Sequence, residues 1–130
     1  MSTGEASGDM TAAALAGAIR EQRPDATFSG IGNERMQALG FTLNARTNGW
    51  ASMGPIDALG KIPALTVVLF THAFRLCADP VDLIVLIDFG AFNLRFARIL
   101  RAFGYKRPIL YFFPPGAWLD KPRTANLVAE

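Results

Sequence analysis

The chain has 130 residues, of which 51% are hydrophobic and 18% charged, with a formal net charge of +2. That is enough for one domain and too little for two, and it is neither disordered nor low in complexity. A single cysteine, Cys77, excludes an internal disulfide, a single histidine, His72, leaves no ligand cluster for zinc or iron, and no nucleic-acid-binding signature accompanies the small positive charge.

The opening residues carry neither a basic segment nor an apolar core of the secretory type, so a reducing cytosol is the expected compartment. Gly4-Glu5-Ala6-Ser7-Gly8-Asp9 reads as a polar loop whose Ser7 or Asp9 caps the alanine-rich helix that follows through Ile19. Ala26 to Ile31 predicts a short strand, Gly32-Asn33 a turn, and Glu34 to Leu39 a short helix closed by Gly40. A doubly wound domain places a buried strand before its first glycine loop, yet only Met1 to Thr3 precede Gly4. The chain therefore reads as a segment cut at both ends, its last residues falling inside a helix that begins near Lys121-Pro122.

Phe41 to Trp50 is weakly patterned, with Thr47-Asn48-Gly49 as a turn. Gly54-Pro55 opens a helix through Leu59, and Ile62-Pro63 opens a second, because proline is tolerated in a first helical turn. From Ile62 to Phe74 there is no Asp, Glu, Lys or Arg, and apolar residues surround the axis. Such a run is too short to span a bilayer. It reads as a buried helix, a membrane-facing one presenting Leu65, Val67, Val68, Leu69 and Phe70, or a protein interface.

Leu83 to Ile87 is an unbroken apolar run, the pattern of a strand buried on both faces of a parallel sheet, and it stops at Asp88. From Phe92 the period becomes helical: Phe92, Phe96, Ile99, Leu100 and Phe103 share one face, and Arg95, Arg98 and Arg101 the other. Pro108 to Phe113 predicts another buried strand, ended by Pro114-Pro115-Gly116. Alternating strands and helices give a layered α/β, Rossmann-like domain with a mainly parallel sheet. In such sheets ligands bind at the carboxyl ends of strands, which makes Asp88 a functional candidate; the alternative is an aspartate capping the next helix near Ala91. Gly30-Ile31-Gly32 invites a dinucleotide reading, but the third glycine of that fingerprint is Arg35 here. His72 and Cys77 are expected to be packed side chains.

Several motifs, in order and spacing, resemble the lipid-A-disaccharide synthase family. Gly4-Glu5-Ala6-Ser7-Gly8-Asp9 is similar to its G-E-x-S-G-D loop, and Gly30-Ile31-Gly32 with Arg35-Met36 to its second strand-turn. Met53-Gly54 resembles its M-G helix entry, Ile87-Asp88-Phe89-Gly90-Ala91-Phe92-Asn93 its I-D-x-P-D-F-N motif, and Pro115-Gly116-Ala117-Trp118 its S-P-x-x-W-A-W segment. The family's Pro-Asp pair is Gly90-Ala91 here, its serine before proline is Pro114, and its second tryptophan falls on Asp120, which marks a divergent member.

The resemblance implies the N-terminal, acceptor-binding lobe of a two-lobed inverting glycosyltransferase, with residues 1–130 as a single domain and the UDP-sugar lobe outside it. It implies a reaction joining UDP-2,3-diacylglucosamine to 2,3-diacylglucosamine 1-phosphate, with release of UDP. No cofactor is implied. The implied partners are the UDP-sugar donor, the acylated glucosamine phosphate acceptor and the cytoplasmic membrane surface, and nucleic acid is not among them. Alone, the segment is expected to be inactive. The alternative is a non-catalytic α/β homologue that binds lipid or protein.

Under that resemblance Asp88 suits the base that takes the proton of the attacking sugar hydroxyl. Gly4, Glu5, Ser7, Gly8 and Asp9 form a candidate substrate loop, in which Glu5 recognises hydroxyls or is a solvated turn residue, and Asp9 more simply caps a helix. Asn93 binds a sugar hydroxyl or caps its helix, and Trp118 stacks on sugar or acyl chain or closes the core.

Overall fold

The computed structural model describes residues 1–4, 6–47 and 55–112, with residues 55–62 and 91 described through their backbone. In chain order the elements are α1 (Ala6–Gln22), β1 (Ser29–Gly32), α2 (Glu34–Ala38), β2 (Thr42–Arg46), α3 (Pro55–Ala78), β3 (Ile84–Ile87), α4 (Gly90–Ala102) and β4 (Ile109–Phe112). The expectations for Glu5, the turn at Asn48 and Gly49, Met53-Gly54, Pro114 to Gly116, Trp118 and the helix near Lys121 lie outside the described residues.

Among the described residues the strand pairing is parallel: β1 with β2, from Ser29 opposite Thr42 to Gly32 opposite Arg46, and β3 with β4, from Ile84 opposite Ile109 to Ile87 opposite Phe112. Ser2 joins the two pairs, with a bridge to Ile31 on one side and to Leu86 on the other. Its amide donates to the Val85 carbonyl at 2.9 Å and its carbonyl accepts from Ile87 at 2.9 Å, while Thr3 donates to Ile31 at 3.0 Å. The layer therefore runs β2, β1, the Met1–Thr3 segment, β3, β4. Gly30 is needed at this seam, because a Cβ there would lie 2.0 Å from the Met1 carbonyl oxygen.

All four residues of β3 are buried, and their period-two alternation feeds two cores. Ile84 and Leu86 pack with Leu69, Ala73, Phe92, Phe96, Leu100 and Tyr105 of the α3–α4 side. Val85 and Ile87 pack with Ala12, Ala16, Met36 and Phe41 of the α1–α2 side. A sheet covered by helices on both faces is what an all-apolar parallel strand requires. The layered α/β reading holds.

Several local expectations are corrected. The weakly patterned stretch after Phe41 contains β2, whose Leu43, Asn44 and Ala45 are only half-buried between exposed Thr42 and Arg46. The two helices expected around residue 60 are one, α3, with Pro63 inside it. Helix α1 starts at Ala6, so Ser7 and Asp9 stand within its first turn and do not precede it as caps.

The apolar circumference of α3 resolves into two faces, because the 3.6-residue period returns Leu65, Leu69, Ala73 and Leu76 to the same side. Leu69 is 6% exposed and belongs to the core, so it is not a membrane-facing residue; Leu65 and Val68 pack against that core from half-buried positions. Val67, Phe70 and Phe74 face outward at 64%, 47% and 71% exposure. Phe103 joins them from the end of α4, its ring centroid 6.0 Å from that of Phe70. Among the described residues no helix is long and apolar enough to cross a membrane.

Candidate functional site

The chain leaves β3 through two consecutive left-handed residues, Asp88 (φ 51°) and Phe89 (φ 47°). Aspartate visits this region readily, whereas phenylalanine does so at a cost of about 1–2 kcal/mol. The surroundings hold the turn in place. The Asp88 carbonyl accepts from Asn93 Nδ2 at 2.8 Å and from the Tyr111 hydroxyl at 2.7 Å, and the Ile87 carbonyl accepts from Asn93 at 3.2 Å. The Phe89 carbonyl receives the amides of Phe92 and Asn93, which starts α4, and its ring stacks on Phe92 with centroids 5.2 Å apart. That ring also covers Gly4 so closely that a Cβ there would fall 2.1 Å from it. Strain fixed from several sides is characteristic of functional turns.

The residue at the N-cap of α4 is Phe89, with no side-chain cap, so the capping role considered for Asp88 is not realised. Among the described residues the contacts at Asp88 go to its backbone carbonyl and none engages its carboxylate. Asp88 lines a recess of about 200 Å³ with Ile87 and with Ser7, Gly8 and Thr11 from the first turns of α1. A half-buried carboxylate with no committed partner among the described residues, beside a helix start, can accept a proton or a hydroxyl hydrogen bond.

The sequence-predicted substrate residues divide. Ser7 and Gly8 are in the recess with Asp88. Gly4 is buried under the Phe89 ring, which leaves no room for a ligand against its backbone. Asp9 is 2% exposed, and both its oxygens are taken by α2: Oδ1 accepts from Asn33 N at 2.8 Å and Oδ2 from Arg35 N at 3.0 Å. It caps a helix, but α2 and not its own. Asn93 is fully buried, with Oδ1 accepting from Ser2 Oγ at 2.7 Å and Nδ2 committed to backbone carbonyls, so it cannot reach a sugar hydroxyl.

Sequence reasoning missed Thr11 and Tyr111. Thr11 is one helical turn after Ser7, whose carbonyl it hydrogen-bonds at 3.0 Å, and that spacing was visible. Tyr111 was hidden inside an apolar strand run. Its hydroxyl is pushed up to about 12, first by burial and then by the negative charge of Asp88.

A larger cavity of about 620 Å³ opens between β1 and β3 near Ser29, Asn44, His72, Leu76 and Val85, and none of the predicted site residues lines it. The glycines of Gly30-Ile31-Gly32 are consumed by packing: a Cβ on Gly32 would meet Met36 Sδ at 2.1 Å and Asp9 Oδ1 at 3.1 Å.

A family model described as lipid-A-disaccharide synthetase matches residues 1–130, the whole chain. The chain belongs to the lipid-A-disaccharide synthase family. It is similar to the lipid-A-disaccharide synthase of Synechocystis sp., with 37% identity over 99% of this chain and 34% of the relative. The enzymes of that name from Myxococcus xanthus and Acidobacterium capsulatum are each 38% identical, over 88% and 93% of this chain and 30% of their own length. The chain thus spans about a third of the length of these curated relatives. Two of the motifs that carry the resemblance meet: the opening motif supplies Ser7 and Gly8, and the strand-end motif supplies Asp88, to the same recess.

Proposed function

We propose that this chain is the acceptor-binding lobe of a lipid-A-disaccharide synthase-type inverting glycosyltransferase, with Asp88 as the base. The reaction would join UDP-2,3-diacylglucosamine to 2,3-diacylglucosamine 1-phosphate. The acceptor hydroxyl oxygen bonds to the anomeric carbon as the bond from that carbon to the UDP oxygen breaks, and Asp88 takes the hydroxyl proton. Inversion needs no covalent intermediate on the protein. The observation that supports this reading is Asp88 itself, whose carboxylate has no hydrogen-bond partner among the described residues, at the carboxyl end of β3 and lining a recess walled by the first turns of α1. The lobe works at the cytoplasmic membrane surface, where an acylated acceptor resides, with the outer face of α3 as its contact.

The test is transfer activity of the complete transferase carrying this segment, wild type against Asp88→Asn. A folded variant slower by at least about a hundredfold is expected for loss of a general base. Activity within a few-fold of wild type would remove Asp88 from that role, and a folded wild type that makes no disaccharide would favour the non-catalytic binding module.

A further inference from the structure

We propose that Tyr111 is a positioning residue for Asp88: its hydroxyl, reaching from β4, holds the left-handed Asp88–Phe89 turn in the geometry that presents the Asp88 carboxylate to the Ser7–Gly8–Thr11 recess. This rests on the reading of Asp88 as the base. A carbonyl oxygen has two lone pairs, and at Asp88 one meets Asn93 Nδ2 at 2.8 Å and the other Tyr111 Oη at 2.7 Å. Asn93 serves several partners at once, tying Ser2 and Ile87 as well. The Tyr111 hydroxyl donates to the Asp88 carbonyl and also has the Asn93 side chain as a hydrogen-bonding neighbour. Its ring is partly buried against the α3–α4 core, so the scaffold fixes the hydroxyl from below while the hydroxyl fixes the turn from above.

A left-handed pair that includes phenylalanine survives only when its neighbours over-determine it. Removing one of the two bonds on the Asp88 carbonyl lets that peptide rotate toward ordinary backbone conformations, and the carboxylate turns with it. The hydroxyl remains protonated, hence a donor, across the whole working range, since burial and the charge of Asp88 raise it to about 12.

Tyr111→Phe keeps the ring and deletes only the donor. In the complete transferase we expect kcat to fall about three- to tenfold, the worth of one hydrogen bond, with KM for the acceptor unchanged and the protein folded. The decisive readout is the double variant. In an Asp88→Asn background, where there is no base to position, Tyr111→Phe should cause no further loss. An equal fractional loss in both backgrounds, or a kcat equal to wild type, would overturn the proposal and leave Tyr111 as packing. If Asp88→Asn alone is not slowed, the base reading has failed instead, and the single-variant data tell the two failures apart.

Discussion

Asn93 and Ser2, 91 positions apart in sequence, hydrogen-bond each other in both directions: Ser2 Oγ donates to Asn93 Oδ1 at 2.7 Å, and Asn93 Nδ2 lies 3.4 Å from the Ser2 carbonyl. The side chain that closes the Asp88 turn is thereby latched to the segment joining the two strand pairs. Asn93→Ala leaves the buried Ser2 hydroxyl and the Ile87 carbonyl short of a partner, which should cost about 2–3 kcal/mol. Asn93→Asp should cost more, since a carboxylate cannot donate to those carbonyls and would bury a charge. Urea unfolding measures both, and an Asn93→Ala protein as stable as wild type would contradict the latch.

Gly4 has no room for a side chain. A Cβ there would lie 2.1 Å from the Phe89 ring, so Gly4→Ala must displace that ring and with it the turn carrying Asp88. We expect a loss of about 1–3 kcal/mol and a lowered transfer rate. Gly17, inside α1, has nothing within 4 Å of its Cβ position. Gly17→Ala should therefore stabilise by about 0.5–1 kcal/mol and leave activity alone. Thermal melts of the two variants should shift in opposite directions.

These two predictions also show where the sequence is informative. The apolar run of β3 and the helical period of α4 were readable because burial on both faces, or on one stripe, leaves a periodic trace. Strand β2 left none: it is half-exposed and carries Asn44 and Arg46. The continuity of α3 was masked by Pro63, a residue that ordinarily marks a helix start. At the candidate site, Asp88 stood out because it ends an apolar strand. For Asp9 and Asn93 the sequence left a ligand role and a structural one side by side, because a polar side chain serving a buried backbone needs the same donors and acceptors as one serving a ligand, and only burial distinguishes them.

His72 should make the fold acid-sensitive. Its Nδ1 lies 2.9 Å from the Val68 carbonyl, the Asn44 backbone is a second, weaker hydrogen-bonding neighbour, and Arg75 is nearby on α3. Burial, with a smaller contribution from Arg75, lowers its pKa below the ordinary 6.5, despite the opposing backbone bonds at Val68 and Asn44. In the window between that lowered value and 6.5, the unfolded chain binds more protons than the folded one, so stability falls as pH drops through 6.5. His72→Leu should remove this part of the dependence. The check is the wild-type-minus-variant difference in unfolding free energy at pH 7.5 and at about 5; a difference that does not change with pH would refute it.

The outer face of α3 separates membrane contact from core packing by position along one helix. Val67 and Phe74 are 64% and 71% exposed, whereas Leu69 is 6% exposed. Glutamate at Val67 and Phe74 leaves the core intact and places charge where apolar surface would enter the headgroup region, so the folded double variant should bind anionic phospholipid vesicles at least about tenfold more weakly. Leu69→Glu buries an unpaired carboxylate between α3 and β3 and should unfold the domain before any vesicle measurement is possible. Vesicle co-sedimentation beside circular dichroism reads both effects. A folded Val67→Glu, Phe74→Glu protein that binds vesicles like wild type would remove α3 as the membrane contact.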